Sequence, residues 1–232
     1  MQGIFLLILP LWCSLVLAQG AKDRMFHTLG FAAFTDYQIG PNTALAYPCS
    51  SYSYTTNTYN TTSCIETNQA SSLAFMTIIY RMRYNLVEPT NEFAVAGSVS
   101  PAFGISVVTS NSQEGFGSFS LPLAVSAEFG AGSTYNSTSN IGGFVAVGPE
   151  LMLLPMFGAN DHSTNEPALK KTYIQTSIEV GIRYWNKNNR LREFAFKYGM
   201  GQNDSDLLPT DDYNTVRDPR SYRLSWSFIL NY

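Results

Sequence analysis

The sequence predicts an all-β fold: an eight-stranded antiparallel up-and-down transmembrane β-barrel. Three observations carry that expectation. Eight stretches alternate apolar and polar residues with a period of two, the signature of strands with one greasy and one wet face. Charged residues are only 13% of the 232-residue chain, about half the usual share. Aromatics are abundant, with 15 Phe, 14 Tyr and 3 Trp. No stretch offers the roughly 18 consecutive apolar residues of a membrane helix, so a bilayer could be crossed only by a closed barrel.

The last stretch shows the pattern best. Tyr222, Leu224, Trp226, Phe228, Leu230 and Tyr232 share one face, and Arg223, Ser225, Ser227 and Asn231 share the other. Ile229 is the exception, an apolar residue on the polar face. A mean hydropathy of −0.05 is what strands averaging two such faces produce. The net charge of −3 and the lack of a basic stripe exclude nucleic acid as a partner.

The N-terminus, residues 1–18, reads as a signal peptide: Ile4 to Leu17 is apolar, and Val16-Leu17-Ala18 offers small residues for cleavage. It departs from the pattern in lacking Lys or Arg before the run. Residues 19–232 are then one barrel domain. Cys13 leaves with the signal, and Cys49 and Cys64 remain. An even pair in an exported chain points to a disulfide, the other reading being two free thiols.

Strand one is expected over Phe26 to Tyr37, with Leu29, Phe31, Ala33 and Tyr37 on one face and Thr28, Gly30, Ala32 and Asp36 on the other. Residues 38–70 form a long Ser/Thr/Tyr/Asn-rich loop holding both cysteines. Strand two, Ser72 to Val87, places Ala74, Met76, Ile78, Tyr80, Met82, Tyr84 and Leu86 against Thr77, Arg81, Arg83 and Asn85. A helix would put Arg81 and Arg83 on opposite sides, whereas a strand puts both on its polar face. Strand three, Phe93 to Val108, is interrupted at Pro101. Strand four runs from Phe116 to Phe129, and Gly130 to Asn140 connects it onward. Strand five is Ile141 to Leu154, strand six Lys171 to Trp185, strand seven Leu191 to Met200, and strand eight the closing stretch. Connections alternate in length, long after strands one, five and seven and short after two and six. Short turns at one end and longer loops at the other are the rule for exported barrels.

Gathering the charges of the polar faces gives Arg81, Arg83, Arg183, Lys197 and Arg223 against Glu128, Glu150, Glu179 and Glu193. Eight strands enclose just enough room for side chains. Opposite charges held there should pair, because a buried unpaired charge is costly. The expected interior is a salt-bridged plug.

Leu224, Trp226, Phe228, Leu230 and the terminal Tyr232 match the closing strand of bacterial outer-membrane β-barrels, and the chain resembles the small OmpA-like members of that group. Gly117 to Leu123 and Phe129 to Tyr135 are similar to segments of uncharacterised outer-membrane barrels. The resemblance implies residence in the outer membrane of a Gram-negative bacterium, contact with its lipid, and recognition of the last strand by the barrel-assembly machinery. It implies no catalytic residue, no cofactor and no single activity.

Enzymatic sites are not expected. His27 and His162 should lie at opposite barrel ends, and Asp161 beside His162 reads as exposed loop. Asp204, Asp206, Asp211 and Asp212 are oxygen-rich but lack an EF-hand spacing, so no metal is expected. The loop 38–70 reads either as a merely hydrophilic surface loop or as a recognition surface suited to a surface partner or glycan. The competing reading is a secreted lipocalin-like barrel that turns the apolar faces inward around a small ligand. Alternation alone does not distinguish inside from outside.

Overall fold

In the computed structural model the structure describes residues 22–110, 114–158, 169–201 and 218–230. The signal segment, Asp161, His162, the four loop aspartates and Tyr232 lie outside the described residues. A 3-10 turn, Lys22–Arg24, leads into β1 (Met25–Ala32) and β2 (Asp36–Ile39). The chain then forms β3 (Thr43–Ser53), β4 (Thr58–Asn68), β5 (Ser71–Thr90), β6 (Phe93–Val99), β7 (Ala102–Thr109) and β8 (Glu114–Gly130). It continues through β9 (Ile141–Leu153), β10 (Phe157–Gly158), β11 (Thr172–Trp185), β12 (Leu191–Met200) and β13 (Arg220–Ile229).

The strands close into a ring. β1 and β2 together make the first stave and β6 and β7 the third, so eight antiparallel staves circle the axis. The seam is sealed because β1 and β2 each pair with both β5 and β13. Closure leaves no ring edge whose N–H and C=O groups would need water. Pro101, which has no N–H to give the ladder, sits in the gap between β6 and β7. Its carbonyl still accepts the Tyr80 amide at 3.0 Å.

Three segments depart from the expected pattern. Ala74 faces the lumen, not outward, and is 1% exposed. A bulge between Ala74 and Met76 inserts one residue, so Phe75 and Met76 both face out and the register reverses at the bulge. The loop 38–70 is mostly a separate hairpin, β3 with β4, because its many Thr and Tyr residues suit strands. Asn57, at φ 52°, makes its turn, a conformation asparagine tolerates. Gly130 to Asn140 does not simply connect two strands: Ala131, Ser133 and Thr134 are buried in the barrel mouth.

Candidate functional site: a charged lumen between two apolar layers

The outward positions between the rims are apolar or aromatic: Phe31, Ile78, Phe103, Leu123, Val147, Ile182, Phe196 and Leu224 are all exposed. The inward positions of the same strands carry the charges. All nine ionisable residues expected inside lie there, together with a tenth, Asp36. Alternation puts Asp36 on the polar face of the first strand. An excess of five cations over four carboxylates in a closed space was the signal that a fifth acid was needed.

The ten charges form one network of six and two separate pairs. Toward the end where β1 begins and β13 ends (the termini end), Glu128 Oε2 accepts Arg83 Nη1 at 2.8 Å and Arg183 Nη1 at 2.6 Å, while Ser126 donates to its other oxygen. Glu193 accepts Arg81 Nη1 through Oε1 and Arg183 Nε through Oε2, both at 2.8 Å. Arg81 also pairs with Glu179. Phe144 lies beneath this layer, its ring centroid 4.8 Å from the Arg81 guanidinium carbon and 4.7 Å from that of Arg183. Toward the loop end, Asp36 Oδ2 accepts Arg223 Nη2 at 2.8 Å and the Thr77 hydroxyl at 2.6 Å. Lys197 pairs with Glu150, whose second oxygen accepts Gln175 Nε2 at 2.9 Å.

Apolar layers bound this charge on both sides. At the termini end, Phe26, Ala131, Leu191 and Ile229 pack together. Ile229, the exception in the closing strand, points inward to form part of this floor. The tucked turn reinforces it: the Gly132 carbonyl accepts Arg83 Nη2 at 2.6 Å, and the Ser133 carbonyl accepts Asn85 Nδ2 at 2.8 Å. At the loop end, Ala70, Val108, Met152, Leu154, Leu169 and Tyr173 form a roof. Apolar layers exclude water, which strengthens each enclosed ion pair and raises the cost of leaving any charge unpaired.

Outside the ring, Cys49 and Cys64 are bonded, with Cα atoms 5.7 Å apart, and staple the β3–β4 hairpin. Tyr52 stands between Tyr54 and Tyr59 near the hairpin tip, each ring centroid 5.0 Å away. His27 lies on the first stave, with Nδ1 at 2.6 Å from the Tyr80 hydroxyl. Among the described residues, no three His, Cys, Asp or Glu side chains gather into a group able to hold a metal.

Apolar wall, closed ring and charged lumen define the class: an eight-stranded transmembrane β-barrel. A lipocalin-like binder needs the opposite arrangement, apolar inside and polar outside. No protein-family model matches the chain, and no curated protein matches it. Among solved structures it is similar to Neisserial surface protein A, at 13% identity over 89% of this chain and 97% of that one, with a TM-score of 0.38. It is also similar to the outer membrane protein OprG from Pseudomonas aeruginosa, at 10% identity, 91% and 98% coverage and a TM-score of 0.37. The outer membrane protein AlkL, solved in lipid bilayers, matches at 15% identity, 86% and 92% coverage and a TM-score of 0.33. At such values the class rests on this protein's own geometry.

Proposed function

We propose that the protein is a non-conducting barrel of the Gram-negative outer membrane, structural or surface-interacting in role and without enzymatic activity. One observation carries the reading: five cations and five carboxylates are paired across the lumen, between two apolar layers. Such an interior offers permeating ions no net charge to follow. Export through residues 1–18 and assembly through the closing strand fit the same reading.

The surface role falls to the β3–β4 hairpin. It carries exposed Tyr54 and Tyr59 and a single acidic residue, Glu66, which favours an uncharged partner such as a glycan or a polar protein surface. The test of the lumen is conductance. Purified protein in planar bilayers should give no sustained unitary current, and a stable, large single-channel conductance would overturn the plug. The test of the hairpin is deletion of Cys49 to Cys64. Loss of adhesion or glycan binding, with the barrel still heat-modifiable on gels, supports it; unchanged binding removes it.

A further inference from the structure

The outward wall is uncharged along its strands except near the rims. At the termini end the exception is Arg192. It alternates with inward Leu191 and Glu193, and in register it lies between Tyr184 of β11 and Phe228 of β13, both outward positions. Its guanidinium carbon sits 4.6 Å from the centroid of Trp226 and 5.5 Å from that of Phe228. A guanidinium at an outward position among aromatic rings belongs at the level of lipid headgroups, because hydrocarbon would leave it uncompensated.

Arg192 is not alone. The turn joining β11 to β12 carries exposed Lys187 and Arg190, so three cations cluster on one hairpin. Among the described residues none of the three has an acidic partner. The acids at this end are engaged or lie on other elements. Glu88 accepts Asn85 Nδ2 at 2.7 Å, Glu92 is held by Ser137 and Thr138, and Asp23 lies in the N-terminal turn beside β5.

We propose that this hairpin binds the phosphate headgroup of an anionic phospholipid in the leaflet at the termini end. Arg192 approaches from the wall over the Trp226 ring, and Lys187 and Arg190 approach from the turn. The inference rests on the membrane reading above. It is not a consequence of overall charge, since a chain of net charge −3 should be indifferent to anionic lipid or avoid it.

The protein supplies its own reporters. With Trp12→Phe, the remaining tryptophans are Trp185 and Trp226, both on β11 or β13 beside this cluster. The protein is refolded into phosphatidylcholine vesicles carrying an equal mole fraction of either brominated phosphatidylglycerol or identically brominated phosphatidylcholine. Brominated phosphatidylglycerol should quench more strongly, corresponding to about a two- to fivefold local enrichment at low salt, and the excess should shrink as salt screens the headgroups. The excess should vanish in Lys187→Gln/Arg190→Gln/Arg192→Gln, fall in Arg192→Gln alone, and survive in Arg192→Lys. Equal quenching by the two lipids, or an excess untouched by the triple substitution, overturns the proposal. The single variant serves if the triple one does not fold. A heat-induced gel shift in every sample separates the two readings: without it in the parent protein, the membrane reading itself fails.

Discussion

Asp36 and Arg223 are 187 residues apart in the chain and 2.8 Å apart in the lumen. They face each other in register across the seam where the first and last staves meet. The pair therefore forms only when the barrel closes. Asp36→Asn leaves a buried guanidinium without its counter-charge, which should cost about 3–5 kcal/mol. The readout is the urea midpoint for unfolding from lipid vesicles. Asp36→Asn combined with Arg223→Gln should recover part of the loss, since neither charge is then stranded. An unchanged midpoint in the single variant would show that the seam gains nothing from this pair.

Phe144 occupies space that only a glycine at position 181 leaves open. A Cβ on Gly181 would lie 2.2 Å from one ring carbon of Phe144 and 2.7 Å from another. The Arg81 and Arg183 guanidinium groups both lie within 5 Å of the ring centroid and limit where it can retreat. Gly181→Ala should destabilise the barrel by about 1–3 kcal/mol through overpacking. Adding Phe144→Leu should restore part of that loss, and a neutral single substitution would mean the ring moves freely.

The tucked turn is pinned by a partly exposed carboxylate. Ser137 donates its hydroxyl to Glu92 at 2.7 Å and Thr138 its backbone N–H at 2.8 Å. These bonds hold the Glu92 carboxyl at about 2, below its ordinary 4.5. A lowered value means the stabilisation is complete above the ordinary value and is lost as pH falls toward 2. Protection factors of the amides in residues 130–138, with the pH dependence of intrinsic exchange divided out, should fall over that acidic interval. Glu92→Gln should exchange faster at neutral pH and respond less to acid; identical pH profiles would dismiss the pin.

Replacing Cys49 and Cys64 by Ser should act on the hairpin and not on the ring. The bond spans 15 residues and joins neighbouring strands of a two-stranded sheet outside the barrel. On the chain-entropy view it contributes about 3 kcal/mol to the hairpin. Protease should cut within β3–β4 of the double variant while the gel heat shift persists. Loss of the heat shift would show that hairpin and ring fold together.

Alternation made the staves legible, because one face meets an apolar surround and the other a closed lumen. Strand seven matched residue for residue, Leu191 to Met200. What alternation could not show was any place where the period slips. The extra residue before Met76 turned Ala74 inward, and nothing in a Leu-Ala-Phe-Met run marks a bulge. Ile229 broke the pattern for a reason that lies elsewhere in the chain, in Phe26, Ala131 and Leu191. Asp36 was legible on its face, but its partner was known only once the seam closed. The 130–140 turn read as polar linker because its burial comes from Arg83, Arg183 and Asn85 reaching for its carbonyls, a demand set by distant strands.

The balance of five against five inside the ring has an electrical consequence. A membrane potential of 100 mV exerts about 2.3 kcal/mol on each elementary charge carried across it. On a set of matched pairs the pushes cancel, so the ten paired charges together carry no gating charge. Voltage can polarise this interior, but it has no net handle with which to pull it out.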